Sequence, residues 1–477
     1  MFRRLSIFAG GFTLEAAADV AASDGMTEAR VIDAIERLAS KSLIELDHER
    51  EEPRLRMLEP VRQYAAERLR QAGAQDDLLR RHCDWVVRFA EDAARGFLVE
   101  LRTWRSRLRD EQDNIRQALE VSFARGDPDT ALRIAAALGY PWFTTGQPEA
   151  PEWVGRALDQ AAGAPDRLRA GALLAAGILA QNALDYHRAI TYLRDALTLF
   201  RQLGRRVAEA STLLWLGRAA MAVDIDGRTA TSWFEEALCR FREVAEPTGI
   251  GWCLVFLGDD AYDRGDFEAA AIRATEAQAI GTEGGVPQVV LESKRILGLL
   301  AMKRGEYAEA EQLFADVADA YREADDRYQF AVVLGAMVWL ASKRGQQPLA
   351  LERLSQVLRL SRELGTTDRM RWAIEIAIRV LWRPRPHDAA QLFGATEAVQ
   401  GLWLHGWAAQ FRAGLEGELA HTDLADRRVA GRSLSLERAV DLALRVVEEE
   451  LAAGSGAEIR ARGGAAGGAE TPRRQGP

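Results

Sequence analysis

Lysine is scarce in this sequence: it occurs only at Lys41, Lys294, Lys303 and Lys343, among 62 basic residues in 477. A basic complement carried almost wholly by arginine, in a chain of formal net charge -9, argues against a general affinity for nucleic acid. Together with abundant alanine and glycine it points instead to a GC-rich genome. Cysteine is scarcer still. Cys83, Cys239 and Cys253 stand far apart without C-x-x-C spacing, which excludes a disulfide framework or a zinc site and fits a reducing compartment. Long apolar runs are missing too: AGALLAAGILA (170–180) falls well short of the ~20 residues that span a bilayer. The basic, apolar start is broken by Gly10 and Gly11 and runs into Glu15 and Asp19 without a cleavage site, so it does not read as a secretory signal. A soluble cytoplasmic protein without membrane contact is expected.

Catalytic patterns are equally absent. The histidines at 48, 82, 187, 387, 405 and 421 are scattered, and neither H-E-x-x-H nor G-x-S-x-G occurs. No G-x-x-x-x-G-K-[ST] occurs, and the glycine cluster GTEGGV (281–286) lacks the following lysine and threonine that would hold phosphates. His82 and Cys83 are neighbours on a helical stretch, RRHCDWVVRFAE, where adjacent side chains diverge by ~100° and cannot easily form a base and nucleophile pair. Both read as core residues, as do most of the twelve tryptophans. No catalytic residue, metal ligand or cofactor site is therefore assigned, and the chain is expected not to be an enzyme.

What is abundant is Ala, Leu, Arg and Glu, the composition of helices, in a chain too long for a single hydrophobic core. Alanines recur at 150, 189, 230, 270, 310, 350 and 390, a period of 40 residues give or take one. A turn precedes each, as in LDYHRA (184–189), RGDFEAA (264–270) and KRGEYAEA (303–310). An upstream ladder places Gly177, Gly217, Gly258 and Gly298 at the same period, with Ala180, Ala220, Ala261, Ala301 and Ala341 three residues beyond. Small residues at two matched points let paired antiparallel helices approach closely, while Leu213, Leu254 and Leu334 fill the space between repeats. Ahead of this array, residues 13–75 read helix, helix, strand (42–47), charged turn, strand (55–58), helix ended by Gly73, which is the order of a winged helix.

The double ladder, with Ala196, Ala237 and Ala277 seven residues further on, resembles the tetratricopeptide repeat over about residues 110–400. The usual period of that repeat is ~34 residues. The extra residues here fall at stretches such as QLGRRVAEA and EVAEPTGIG, so longer helices or loops are expected there. The repeat at Gly217 carries one residue more, with Thr229 where alanine belongs, which predicts an irregular turn at DIDG (224–227). The segments FRRLSIFAGGFTLEAA, LASKSLIE, RMLEPVRQYAAERL and DEQDNIRQAL, with AAQLFGATEAVQ near the end, resemble the part that follows the nucleotide-binding domain in bacterial STAND-class, LuxR-like regulators. That resemblance implies an ATPase ahead of Met1, in cis or supplied in trans, and explains why the chain opens as if mid-structure.

The expected organisation is mostly α: a winged-helix domain (1–75), connecting helices (76–125), an α-solenoid of tetratricopeptide-like helix pairs (126–400), capping helices (401–451) with Ser435 as the N-cap of the last, and a disordered tail (452–477). In the repeat family the concave groove is lined by fixed first-helix positions. Carried onto this sequence, these are Gln181, Asn182, Arg218, Trp252, Asp259, Tyr262, Asp263, Arg295, Lys303, Trp339 and Lys343, a set suited to a protein or small-molecule effector. The candidate DNA-reading helix of the winged helix offers Arg30, Arg37 and Lys41 against Glu28, Asp33 and Glu36, and the turn DHEREE is acidic, so direct DNA contact is disfavoured. The function expected is that of a non-catalytic sensor and interaction module of a transcriptional regulator; a stand-alone scaffold and a DNA-binding regulator are the alternatives.

Overall fold

The computed structural model describes residues 1–22, 27–47, 53–223, 228–397, 414–419 and 424–466. A short α1 (Phe2–Leu5) leads into α2 (Leu14–Ala21), whose N-cap Thr13 accepts a hydrogen bond from the Ala16 backbone N–H at 3.1 Å. Then follow α3 (Glu28–Ala39), the antiparallel strands β1 (Glu45–Asp47) and β2 (Arg54–Arg56), and α4 (Glu59–Gln71). Phe12 adds a bridge to Leu55 of β2, so the opening residues extend the hairpin. This is the winged-helix order predicted, with shorter strands; the turn at 48–52, including most of DHEREE, lies outside the described residues.

Three helices, α5 (Gln75–Gly96), α6 (Leu101–Asp110) and α7 (Gln112–Arg125), connect this domain to the repeats. Phe8 packs edge-on against His82 and Trp85 of α5 at 5.6 and 5.9 Å, and one apolar core runs without a break from Leu5 to Leu179. The winged helix is thus fused to the start of the solenoid and does not hang from a tether.

The solenoid comprises seven helix pairs: α8 (Pro128–Thr145) with α9 (Ala150–Asp159), α10 (Asp166–Asn182) with α11 (Tyr186–Gln202), α12 (Arg206–Ala220) with α13 (Ala230–Glu243), α14 (Pro247–Arg264) with α15 (Phe267–Glu283), α16 (Pro287–Arg304) with α17 (Tyr307–Glu323), α18 (Arg327–Lys343) with α19 (Gln347–Leu364), and α20 (Thr367–Leu381) with α21 (Pro386–Glu397). The turn motif RGDF shows why the sequence folds this way. Gly265 takes φ +83°, ending α14 in the left-handed region, and Asp266 immediately caps α15 by accepting the Ala269 N–H at 3.1 Å. The glycine ladder works by close approach. A Cβ at Gly217 would lie 2.5 Å from the Phe234 ring, and one at Gly298 would lie 2.6 Å from Phe314, so the second helix presses its aromatic onto bare backbone. Leu213, Leu254 and Leu334 are buried between repeats, as predicted.

The long period goes into helix length. Most of QLGRRVAEA and EVAEPTGIG is helical, with only 203–205 and 244–246 between helices. Thr229 is no misplaced ladder residue but the N-cap of α13, accepting from the Ser232 N–H at 3.3 Å; the DIDG turn lies outside the described residues. After α22 (Leu424–Gly431), α23 (Leu436–Ala466) lays Val440, Ala443 and Val447 in the core it forms with α19, α20 and α21. The Arg438 N–H donates to its N-cap Ser435 at 3.3 Å. The backbone of α23 remains helical past Leu451, where loss of apolar periodicity predicted disorder. Residues 467–477 lie outside the described residues.

The superhelix closes on itself after one turn. Arg105 of α6 meets Asp326, the N-cap of α18, at 3.0 Å with both side chains about 5% exposed, and beside them Arg109 bonds Asp325 at 2.5 Å. Phe143 of α8 packs on Tyr328 of α18 at 5.7 Å between centroids. No helix among the described residues is long and apolar enough to cross a membrane.

Candidate functional site

Ring closure turns the concave face into a cavity of about 580 Å³, within the range of ligand pockets for small molecules and short peptides. The first helix of every pair lines it, α8, α10, α12, α14, α16, α18 and α20, and Ala94 of α5 and the Phe97 that follows it also contribute. First helices face inward because the glycine and alanine ladders seat their opposite faces on the second helices, leaving the remaining face for the interior.

Seven of the eleven predicted groove residues line this space: Arg218, Trp252, Asp259, Tyr262, Asp263, Arg295 and Trp339. The other four do not. Gln181 is buried behind the wall, its amide donating to the carbonyls of Gly177 and Trp215, and Asn182 donates to the Phe143 carbonyl at 2.8 Å; both brace neighbouring first helices. Lys303 and Lys343 lie in the last turns of α16 and α18, exposed, with their ammonium groups over the Phe267 and Trp339 rings at 5.1 and 5.7 Å. A long flexible stem lets lysine leave a low-dielectric interior for solvent and an aromatic face.

The structure adds residues that the repeat offsets could not reach. Trp215, Trp372 and Tyr328 join Trp252 and Trp339 in the lining, so several tryptophans expected in the core face the cavity instead. Arg369 stacks over Tyr328 and Trp372 at 4.3 and 5.3 Å. The helix α20 carries no ladder glycine from which to count. Its sequence signal was Trp372 with Arg369, Arg371 and Arg379 on a helix otherwise rich in apolar residues.

Charges in the interior are organised into a bonded network and two outliers. Arg295 donates to both oxygens of Asp259 at 2.6 and 2.9 Å and to Glu292 at 2.7 Å, and Tyr321 donates its hydroxyl to Glu292 at 2.6 Å. Buried ions are tolerable when they are paired and hydrogen-bonded in this way. Arg218 is different: it lies between the Phe143 and Trp215 rings at 4.7 and 5.2 Å, its Nη2 reaches only the Tyr328 hydroxyl at 3.5 Å, and its Nη1 is buried without a partner. Asp263, on α14, is the other outlier: burial, aided by the neighbouring Asp259, pushes its carboxyl up to about 7.

Elsewhere the chemistry is inert. Burial lowers His82 to about 4, its Nε2 hydrogen-bonded to Asn114 at 3.3 Å, and raises the Cys83 thiol to about 11. No cluster of three His, Cys, Asp or Glu capable of holding a metal occurs among the described residues. On the winged helix, Arg30, Arg37 and Lys41 are exposed, interleaved with the exposed Asp33 and Glu36. Arg54 of β2 is buried in an ion pair with Glu111, which also accepts from Asn114 at 2.6 Å, and Asn114 in turn donates to the Gly11 carbonyl at 2.9 Å. These bonds fasten the winged helix to the α6–α7 junction.

Comparison with known proteins agrees with this architecture. A family described as a winged helix-turn-helix domain matches residues 1–70. Proteins named "Putative HTH-type transcriptional regulator" in Mycobacterium bovis and Mycobacterium tuberculosis are 27% identical over 335 residues, 68% of this chain. The match spans only 38% of the length of those relatives. Among solved structures, a Rap protein complexed with Competence and Sporulation Factor aligns with a TM-score of 0.50 and 14% identity, covering 78% of this chain and 98% of that one. A STAND protein with a tetratricopeptide repeat sensor from Pyrococcus horikoshii aligns over 87% of this chain and 64% of its own, with a TM-score of 0.42 and 13% identity. The chain is thus a mostly helical protein in which a winged helix-turn-helix domain precedes stacked helix pairs resembling tetratricopeptide and Rap solenoids.

Proposed function

We propose that this chain is the sensing and switching portion of a transcriptional regulator. An effector occupies the central cavity, and the winged helix transmits its presence. The observation that carries this reading is the α6–α7 junction, where cavity closure and winged-helix attachment meet. Arg105 of α6, six residues before Glu111 at the end of that helix, seals the ring through Asp326, while Glu111 itself holds Arg54 of the winged helix. Any ligand that widens or tightens the ring shifts α6 and, through Glu111, the winged helix.

In this reading the winged helix is a switch element and does not read DNA, since Arg54 of β2 is committed to Glu111 and its exposed helix carries mixed charge. The chain catalyses nothing itself; its partner is a nucleotide-binding domain, in cis or in trans. The names of the mycobacterial relatives support the regulatory role, and the Competence and Sporulation Factor complexed with the Rap protein supports use of such a solenoid as a receptor.

The test uses the tryptophans in the wall. Small-molecule and peptide fractions of host extract are titrated while intrinsic fluorescence is followed, in the native protein and in Ala336→Trp, which fills the cavity. A fraction that shifts the native emission, leaves the filled variant unaffected and changes the distance between spin labels on α3 and α18 supports the switch. If occupancy leaves that distance unchanged, cavity and winged helix are uncoupled and the proposal fails.

A further inference from the structure

Two charges that face the cavity stand without an ion pair among the described residues, and those two define what it lacks. Arg295 is answered by Asp259 and Glu292, Arg369 by Asp368 at 3.0 Å, and Arg105 by Asp326. Arg218 has no carboxylate partner among the described residues: two aromatic faces hold its guanidinium in place and one buried Nη1 has nothing to bond. A guanidinium does not deprotonate, so its charge stays in the wall and favours an anion with two oxygens in one plane. Asp263 faces the same cavity from the next first helix and makes no hydrogen bond or ion pair among the described residues. Around it, Asp259 and Asp260 carry the same sign, Arg295 is committed to Asp259 and Glu292, and Arg379 is the further cation acting on it. A cationic group beside Asp263 would keep that carboxyl ionised.

Spacing and lining narrow the ligand further. Arg218 stands one residue past its ladder glycine and Asp263 five past its own, so the two differ by about one helical turn on successive inward helices. With helices packed at roughly 8–10 Å and ~5.4 Å per turn, the backbones of the two residues lie on the order of 10 Å apart. An extended chain covers that span in about three residues at ~3.5 Å each. Trp215 and Trp252 line the wall on the same two helices and offer flat apolar surface. A sugar would leave both charges unanswered, a polyanion would meet Asp263, and a polyamine would meet Arg218.

We propose that the cavity binds a short peptide with both termini free, its carboxylate on Arg218, its ammonium on Asp263, and its apolar side chains against the tryptophans between them. This rests on the reading of the cavity as the effector site, and the experiment separates the two. The probes are an equimolar library of unblocked tri- and tetrapeptides of Ala, Val, Leu and Phe, the same library N-acetylated, the same library C-amidated, and the neutral dye Nile red. Binding to the full chain is read by displacement of Nile red, with Ala336→Trp as the filled control. The free library is expected to bind at least tenfold more tightly than either blocked one. Arg218→Met removes the discrimination against amides alone, Arg218→Lys restores part of it, and Asp263→Asn removes the discrimination against acetylated peptides alone. If Nile red enters the native cavity but blocked and free libraries compete equally, or none competes, the peptide assignment is overturned and the effector site stands. If Nile red binds native and filled proteins alike and no library protects the chain, both readings fall.

Discussion

Around His82, side chains from three separate stretches of sequence meet in one core: Phe8 and Phe12 from the opening residues, Trp85 from α5, Ile115 and Ala118 from α7. Around Phe314 the core is local, a cluster confined to residues 291–340 on neighbouring helices. The first region is held by contacts between distant parts of the chain and should unfold as a unit. The second is a stack in which each pair leans on its neighbours, so damage should stay near where it is made. The ring seam is the exception that gives the stack a long-range contact, through Arg105 and Asp326.

Removing residues 1–74 is the harshest way to test that contrast. It strips Phe8, Phe12 and Val20 from the core shared with α5, and the remaining chain is expected to lose cooperative unfolding of α5–α9 by circular dichroism while α12–α19 keep their helix content. Next in size, Glu111→Ala leaves Arg54 buried and unpaired, and Asp326→Asn does the same to Arg105. Each costs about 3–5 kcal/mol by denaturant unfolding. Only Asp326→Asn should enlarge the radius of gyration in small-angle scattering, because it alone opens the ring.

Acid separates the two regions by sign. His82 binds its proton at about 4 when folded against 6.5 when unfolded, so between those values the unfolded chain takes up more protons and stability of the N-terminal core falls as pH drops, by on the order of 3 kcal/mol at most. Asp263 is shifted the other way, to about 7 from 3.8, so the folded form holds the extra proton and this residue stabilises the cavity wall as pH drops through the same window. Hydrogen exchange at pH 7 and 5 should show weaker protection in α5 and undiminished protection in α14; His82→Gln should flatten the first trend and Asp263→Asn the second. Gly217→Ala pushes a Cβ onto Phe234 and is expected to cost about 1–3 kcal/mol, confined to α12–α14. Smallest of all, Thr229→Ala removes one cap for about 1 kcal/mol.

The helix pairs were legible because their signals are periodic and local. A glycine that admits Phe234 or Phe314, and a Gly-Asp turn that ends one helix and starts the next, act within about twenty residues of themselves. Seven groove residues were legible for the same reason, since counting from each glycine places side chains on the inward face. Counting failed at Gln181, Asn182, Lys303 and Lys343. The first two are turned into the wall by carbonyls of neighbouring helices, and the lysines escape to solvent over aromatic rings. It could not start at α20, which has no ladder glycine, so Arg369 and Trp372 went unseen.

By itself the sequence determined the helical composition, the winged-helix order, the repeat and the inward face of the first helices that carry the ladder, because each depends on propensity, capping or contact between adjacent elements. Closure depended on the sum of small rotations along seven helix pairs, which no local pattern encodes. Only the tertiary structure brought Arg105 to Asp326, made one cavity from a concave face, and left Arg218 and Asp263 inside it without an ion pair among the described residues.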